Sequence, residues 1–200
     1  MNPLALPIPA KPYRAYLFDL DGTVADSMPL HLRSWQQAVR EHGGQFPIEL
    51  FYAWGGMPLK RSVELLNERF GYNMDPEAVV RRKEDLYYEL VPELKPIDSV
   101  LAHIEAQYGR IRFAIVSGSP RAGICRTLKQ LGLLDRFEVL VGSEDYIHGK
   151  PDAEPFLTAA AQLGVAPEDC LVFEDAEAGI ASAKAAGMDW VQVPVEQPAR

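Results

Sequence analysis

The stretch AYLFDLDGTVADS, Ala15 to Ser27, joins a short apolar run to two aspartates that lie one residue apart. Its first part has the continuous apolar character of a strand covered on both faces of a parallel sheet. Asp19 and Asp21 follow at the point where that strand should end, beside Gly22. Paired negative charge there is costly unless a cation or protons offset it. The stretch therefore predicts a buried strand that delivers two carboxylates to a site.

Further apolar runs along the chain resemble this one. The five candidate strands are YRAYLF (13–18), RFAIVS (112–117), FEVLVG (137–142), CLVFE (170–174) and WVQVP (190–194). Helical patterns separate most of them, and several end at a glycine, where helix C-caps belong. Alternation of strands and helices predicts an α/β fold with a doubly wound parallel β-sheet.

The segment between the first two candidate strands is far longer than one crossover helix requires. Most of it has helical character, in LHLRSWQQAVREHG, PLKRSVELLNERFG and DPEAVVRRKEDLYYEL. We interpret residues 28–95 as a small inserted α-helical cap, and residues 1–27 and 96–200 as one discontinuous core domain. A chain of 200 residues fits that organisation.

Net charge, apolar segments and cysteine content limit the binding partners and the cellular location that we expect for this protein. The formal net charge of −8 argues against binding to nucleic acid or an anionic membrane, which need a basic surface. No segment approaches the roughly 18 apolar residues of a membrane span, and the N-terminus lacks the pattern of a signal peptide. Cys125 and Cys170 lie far apart and indicate reduced thiols. We therefore expect a cytoplasmic protein, and nothing in the sequence demands more than a monomer.

Polar residues gather where the candidate strands end, which is where open α/β sheets bind ligands. Beyond the two aspartates of the first strand, the set contains Ser117, Gly118, Ser119, Lys150, Glu174 and Asp175. Taken singly, each motif has a structural explanation: a turn, a helix N-cap, a solvated lysine or a helix-dipole charge. Jointly they predict a site, because several carboxylates on one rim repel each other unless a cation offsets them.

The residues at this edge can supply what phosphoryl transfer requires: a nucleophile, metal ligands, groups that bind phosphate and a general acid/base. A carboxylate such as Asp19 can attack phosphorus, and Mg²⁺ with oxygen ligands would offset the charge of the phosphoryl group. Asp19, Asp175 and the backbone carbonyl of Asp21 could supply those ligands. Lys150 and the Ser117 hydroxyl can hold the phosphoryl oxygens. Asp21 is placed to protonate the leaving alcohol and later to activate water.

The motifs DLDGT, SGS, KPD and FEDAEAGIASAKAAGM, in this order and spacing, resemble those of the haloacid-dehalogenase (HAD) superfamily. The resemblance covers nearly everything from Tyr16 to Val193. It implies a Rossmann-like core with a helical cap and Mg²⁺-dependent chemistry through an aspartyl-phosphate. It also implies the roles of nucleophile and metal ligand for Asp19, acid/base and backbone ligand for Asp21, and metal ligand for Asp175. Ser117, Gly118 and Lys150 would bind phosphate, and Glu174 would act in a second shell or through water.

Within that superfamily, the sequence is similar to the beta-phosphoglucomutase-like group, especially its fructose-1-phosphate-phosphatase-like members. LHLRSW, with His31 and Trp35, matches a pattern of their first cap helix, and GGMPLKRS, which contains Gly56, resembles their specificity loop. Beta-phosphoglucomutases carry an arginine where Leu59 stands here, and this departure favours a phosphatase.

Three of the candidate substrate contacts have alternatives from the sequence alone. Trp35 is either a substrate contact or part of the cap core. Arg61 either reaches the site or is an exposed helical residue, and Arg121 either touches phosphate or opens its helix.

Three functional hypotheses follow. The first is a Mg²⁺-dependent phosphatase for a small phosphorylated metabolite, most simply a sugar phosphate. The second is a phosphomutase, which predicts activation by a bisphosphate and an isomerised product. The third is a non-catalytic phosphate-binding regulatory module, which the presence of both motif-one aspartates, Asp19 and Asp21, disfavours.

Overall fold

The computed structural model describes residues 6–55 and 57–194. The strands are β1 Ala15–Phe18, β2 Arg112–Val116, β3 Val139–Val141, β4 Cys170–Glu174 and β5 Asp189–Gln192. The α-helices of the described ranges are α1 Met28–Glu41, α2 Ile48–Ala53, α3 Leu59–Phe70, α4 Pro76–Leu90, α5 Asp98–Gln107, α6 Arg121–Gln130, α7 Glu154–Leu163 and α8 Glu177–Ala185. Short 3₁₀ turns occupy Val91–Glu93, Leu134–Arg136 and Pro167–Asp169.

The five strands form one parallel sheet in the order β3-β2-β1-β4-β5. The chain winds outward from β1 to β3 and then resumes on the other side of β1, so the direction of winding reverses between β1 and β4. Phe18 at the end of β1 lies in register with Phe173 in β4. The residues that follow these two positions therefore emerge together at the switch point, where open α/β sheets bind ligands.

Side chains of alternate residues cover the two faces of this sheet, as the two-residue period of a strand requires. One face presents small and aliphatic residues, including Leu17 and Val172, to α7 and α8. The other carries an aromatic cluster in which the Phe18 and Phe173 rings stack with centroids 4.7 Å apart. Burial of both faces explains why β1 and β4 have continuous apolar sequences.

The parallel α/β sheet confirms the fold class predicted from the sequence. The edge strand β3 is shorter than its predicted run at 137–142, because only Val139–Val141 pair with β2, its one neighbour in the sheet. The six-residue helix α2 was not predicted, since one and a half turns give little periodicity. No helix of the described ranges combines the length and apolarity that a membrane span requires.

The chain divides into two compact units. One extends to Asp26 and resumes at Lys95, and the other spans Ser27–Leu94. The second unit has a hydrophobic core of its own, in which Trp35, Val63, Leu66 and Val79 are buried. Its ends differ by one residue from the predicted cap, residues 28–95, and the assignment of these units as core and cap domains stays a prediction.

Candidate active site

Three carboxylates converge where β1 and β4 end. Asp19 follows β1, Glu174 closes β4, and Asp175 follows it. Each offers an oxygen atom, and these oxygens all lie within 4.8 Å of one another. Asp19 is 9% exposed and Glu174 only 2%, so water does little to screen their repulsion.

Lys150 lies among these carboxylates. Its Nζ atom donates hydrogen bonds to Asp19 Oδ1 at 2.6 Å, to Glu174 Oε1 at 2.7 Å and to the backbone oxygen of Val116 at 3.0 Å. Burial alone would lower the pKa of Lys150, but the charges of Asp19 and Glu174 outweigh it and raise that pKa. Lys150 is therefore a cation at neutral pH. The peptide bond between Lys150 and Pro151 is cis.

Burial also acts on Asp19. It raises the pKa of that carboxyl well above the ordinary value, and the nearby Glu174 and Asp175 add to the effect while Lys150 opposes it. One ammonium group against three carboxylates leaves the cluster with excess negative charge. A second cation would restore the ionised form of Asp19, which is the form that can attack an electrophile.

Asp175 is held by the turn after β1. The Thr23 hydroxyl donates to Asp175 Oδ1 at 3.2 Å. Gly22 has a φ of +90°, and a Cβ atom there would lie 2.5 Å from Asp175 Oδ2, so only glycine fits this close approach. Burial, together with the charge of Glu174, raises the pKa of Asp175 to about 6.

Glu174 is committed to contacts with its own chain. While Oε1 accepts from Lys150, Oε2 accepts from the backbone N–H of Ala176 at 2.8 Å. Gly179 in the first turns of α8 lies directly against this side chain. Glu174 thus holds Lys150 and the start of α8 in place as well as adding charge.

The turn after β2 brings Ser117 and Ser119 to the same end of the sheet. Ser117 is buried, and its Oγ accepts from the backbone N–H of Ser119 at 3.0 Å, which leaves its own proton for an anionic acceptor. The Ser119 hydroxyl donates to Asp21 Oδ2 at 3.3 Å. Gly118 links the two, and Tyr146 secures the turn by donating to the Ser117 backbone oxygen at 3.1 Å.

These residues fit a hard divalent cation. Carboxylate oxygens from the buried Asp19 and the partly buried Asp175, with the buried Glu174 beside them, form the oxygen-rich donor set that Mg²⁺ takes in proteins. Burial, and secondarily the charges of the neighbouring carboxylates, raises the pKa values of Asp19 and Asp175, and a bound divalent cation would favour their ionised forms.

The predicted cap residues have well-defined surroundings within their own unit. His31 stacks on Tyr87 with ring centroids 4.0 Å apart, and its Nδ1 lies 3.1 Å from the Nζ of the buried Lys83. Trp35 is 5% exposed and packs edge-on against Phe46, so it belongs to the hydrophobic core of this unit.

The remaining candidates are exposed or paired with acids. Arg61 is exposed and donates to Glu64 and Glu68 on its own helix. Arg121 pairs with Asp145 at 2.5 Å in the other unit. Gly56 lies outside the described residues.

Several residues that contact the predicted site residues were not predicted. Sequence reasoning gave no role to Thr23, Tyr146, Gly179 or Lys83. Thr23 lies in the motif DLDGT and Gly179 in the motif FEDAEAGIASAKAAGM, so the sequence did contain a signal that these two residues belong to the site. Tyr146 and Lys83 had none, because their contacts join segments far apart in the chain.

The parallel α/β fold and the acidic site at its switch point are those of one class of hydrolases. The family model for haloacid dehalogenase-like hydrolases matches residues 13–187, and the chain belongs to that family. This confirms the resemblance inferred from its motifs and the prediction that the protein is a HAD-type hydrolase.

The chain is similar in sequence or structure to several phosphatases and phosphomutases. Fructose-1-phosphate phosphatase YqaB of Escherichia coli K12 is 35% identical over 182 residues, which cover 90% of this chain and 96% of the relative. Beta-phosphoglucomutase of Bacillus subtilis 168 is 31% identical over 192 residues, covering 92% and 85% of the two chains. The crystal structure of beta-phosphoglucomutase from Clostridium difficile is similar with a TM-score of 0.71, at 28% identity, covering 89% and 83%.

Proposed function

We propose that the protein is a Mg²⁺-dependent phosphatase that hydrolyses a small phosphomonoester, a sugar phosphate, through an aspartyl-phosphate on Asp19. The observation that carries the proposal is the cluster of Asp19, Lys150, Glu174 and Asp175 at the switch point of the sheet, in which Asp19 and Glu174 are buried. Family membership and a sugar-phosphate phosphatase that is 35% identical support the reaction class.

The first half-reaction transfers the phosphoryl group to the protein. A carboxylate oxygen of Asp19 attacks phosphorus, and the bond from phosphorus to the leaving alcohol oxygen breaks. Asp21 donates a proton to that oxygen, so the product leaves as a neutral alcohol. The Ser117 hydroxyl donates to a phosphoryl oxygen, and the positive charge of Lys150 beside Asp19 offsets the charge that redistributes over the phosphoryl oxygens.

The second half-reaction returns the enzyme to its starting state. Asp21, now ionised, takes a proton from water as the water oxygen bonds to phosphorus. The bond between phosphorus and Asp19 breaks, and inorganic phosphate leaves. Bound Mg²⁺, held by Asp19, Asp175 and the backbone oxygen of Asp21, would supply charge neutralisation for both halves.

Phosphate release from a panel of sugar phosphates tests this proposal. Asp19→Asn should abolish turnover while thermal unfolding stays cooperative, and EDTA should abolish wild-type turnover until Mg²⁺ is restored. Asp135→Asn, an aspartate in a 3₁₀ turn away from the cluster, is the matched control and should keep full activity. Mg²⁺-dependent hydrolysis by Asp19→Asn would remove Asp19 from the nucleophile role.

A phosphomutase is the second candidate, because a beta-phosphoglucomutase is 31% identical to this chain. Leu59, in place of the mutase arginine, weighs against it. A mutase would require activation by a bisphosphate and would yield an isomerised sugar phosphate with little free phosphate. Sugar isomerisation and phosphate release measured in one reaction therefore separate the two activities.

We also propose that the enzyme works in the cytoplasm as a monomer. Both cysteines, Cys125 and Cys170, are free thiols, as expected in a reducing compartment. Sedimentation at micromolar concentration tests the monomer, and a dimer would contradict it.

A further inference from the structure

Two loop segments pack closely beside the proposed site. The backbone N–H of Ser143, after β3, donates to the backbone oxygen of Ser119, after β2, at 3.1 Å. A Cβ atom at Gly142 would lie 2.8 Å from the backbone nitrogen of Arg121 and 3.0 Å from the Ser119 oxygen. Backbone contact at this distance leaves no space for a ligand between the segments.

The N-terminus of α6 meets a carboxylate of its own chain. Free N–H groups at the start of a helix attract anions. Here both oxygens of Glu144 accept from the backbone N–H of Arg121, the first residue of α6, at 3.0 and 3.1 Å. An anion on a ligand would have to compete with Glu144 for this position.

The arginine at the same place is also paired. Arg121 Nη2 lies 2.5 Å from Asp145 Oδ1, and Asp145 Oδ2 accepts from the backbone N–H of Gly142 at 2.8 Å. The Gly142 N–H, together with Arg121, lowers the pKa of Asp145, so this carboxylate stays charged. Glu144 and Asp145 thus place two carboxylates at the start of α6, of which only Asp145 pairs with the guanidinium group, so the side-chain charge of these three residues is negative.

This acidic pair lies near the proposed reaction centre. Asp21, the proposed acid for the leaving group, accepts from the Ser119 hydroxyl. Arg121 follows Ser119 by two residues, a span of at most about 7 Å. Glu144 and Asp145 contact Arg121 directly, so one short chain segment separates this acidic pair from the residue that hydrogen-bonds to Asp21.

We propose that Glu144 and Asp145 are specificity-determining residues that select substrates with one phosphate group against substrates with a second phosphate. This inference rests on the proposed function. A second phosphate near the start of α6 meets two carboxylates, while the helix N-terminus and the arginine that would attract it are already taken. The same repulsion acts against the bisphosphate that a mutase uses.

The double variant Glu144→Gln/Asp145→Asn tests the inference. Both changes keep hydrogen-bonding side chains of the same size and remove the two charges. The probes are a hexose 1-phosphate and the matching hexose 1,6-bisphosphate, and the readout is the ratio of their kcat/KM values. We expect the ratio to shift toward the bisphosphate by about fivefold per carboxylate removed, and less at high salt. The single variant Glu144→Gln should give part of that shift.

The matched control is Glu138→Gln, whose carboxylate pairs with Arg112 where β2 begins. It changes the net charge by one unit, as each single variant does, and should leave the ratio unchanged. An unchanged ratio in the double variant, or an equal shift in the control, would overturn the inference.

Binding separates the failure of this inference from the failure of the proposed function. The dissociation constants of both probes are measured by calorimetry for the wild type and the double variant. A wild type that hydrolyses no phosphomonoester would contradict the phosphatase proposal. The ratio of the two dissociation constants would still decide whether Glu144 and Asp145 exclude the second phosphate.

Discussion

Gly179 of α8 lies so close to Glu174 that a Cβ atom there would overlap its carboxylate, at under 3.0 Å from Oε1, Cδ and Cγ. Glu174 cannot move aside freely, because Lys150 and the Ala176 N–H hold its two oxygens. The side chain of Glu174 and the backbone of α8 are thus packed as one unit behind the proposed site.

The first prediction is that Gly179→Ala displaces Glu174 and lowers activity. Alanine is the better helix former by about 1 kcal/mol, so a purely local effect would be stabilising. We expect instead a lower melting temperature and at least about a tenfold loss of kcat, since displacing Glu174 removes one of the three acceptors that position Lys150.

A matched helical glycine serves as its control. A Cβ atom at Gly123 in α6 would meet its nearest neighbour, the Ser119 side chain, only at 4.0 Å. Gly123→Ala should therefore keep the activity and raise stability slightly. Equal changes in kcat and melting temperature for Gly179→Ala and Gly123→Ala would show that the close contact between Gly179 and Glu174 does not affect activity or stability.

The second prediction concerns Lys150 as a buried cation. Lys150→Met leaves Asp19 and Glu174 without their shared partner, and removing one member of a buried ion pair costs about 3–5 kcal/mol. Adding Glu174→Gln should recover part of that loss without restoring turnover. Urea unfolding of the two single variants and the double variant measures the coupling free energy between Lys150 and Glu174. If the changes in the free energy of unfolding simply add, the two side chains do not stabilise each other and the prediction is contradicted.

The third prediction is a pH-dependent affinity for Mg²⁺. Asp175 binds a cation only when ionised, and burial raises its pKa to about 6. The apparent affinity should therefore fall as the pH drops through about 6. Calorimetric titration with MgCl₂ from pH 5 to 8 measures this, and a flat profile would exclude Asp175 as a titrating ligand.

Asp175→Asn provides a stability readout for the same residue. The folded state holds the proton more tightly than the unfolded chain, so this carboxyl group costs stability as the pH rises from its ordinary pKa of 3.8 to about 6, and the loss is constant above that pH. At pH 7.5 without Mg²⁺, the asparagine variant should be more stable by up to about 3 kcal/mol. Lower stability of the variant at that pH would contradict the raised pKa.

The fourth prediction concerns His103 in α5. Its Nε2 atom is buried and has no hydrogen-bond partner among the described residues, and its ring lies 5.6 Å from that of Phe173. Burial lowers the pKa of His103 below 6.5. The unfolded chain therefore takes up a proton before the folded protein does, and stability falls as the pH drops through 6.5.

Melting temperatures from pH 5 to 8 check this effect. His103→Leu removes the titrating ring and should flatten the pH dependence around 6.5. His148→Leu is the comparison variant, because His148 is an exposed loop histidine whose side chain pairs with Glu154 at the surface. Identical pH profiles for the wild type and His103→Leu would rule out His103 as the source.

Much of the fold was predictable because its signals are local. Buried strands of a parallel sheet have continuous apolar sequences, and β1, β2 and β4 lie within the predicted runs. The grouping of acids near β1 and β4 follows from the rule that parallel strands end at one edge, although the catalytic roles of these residues stay predictions. Motif order and spacing were also sufficient to identify the HAD family, which its family model confirms.

Only the tertiary structure decided which partner each polar side chain takes. Arg121 pairs with Asp145, and Trp35 packs against Phe46, where the sequence left two alternatives for each. Glu174 uses both oxygens on Lys150 and Ala176, which no local pattern could indicate. The physical reason is that secondary structure depends on neighbours along the chain, whereas ion pairs and hydrogen bonds depend on distances set by packing. Residues far apart in sequence compete for the same donor, and the sequence alone does not contain that geometry in readable form.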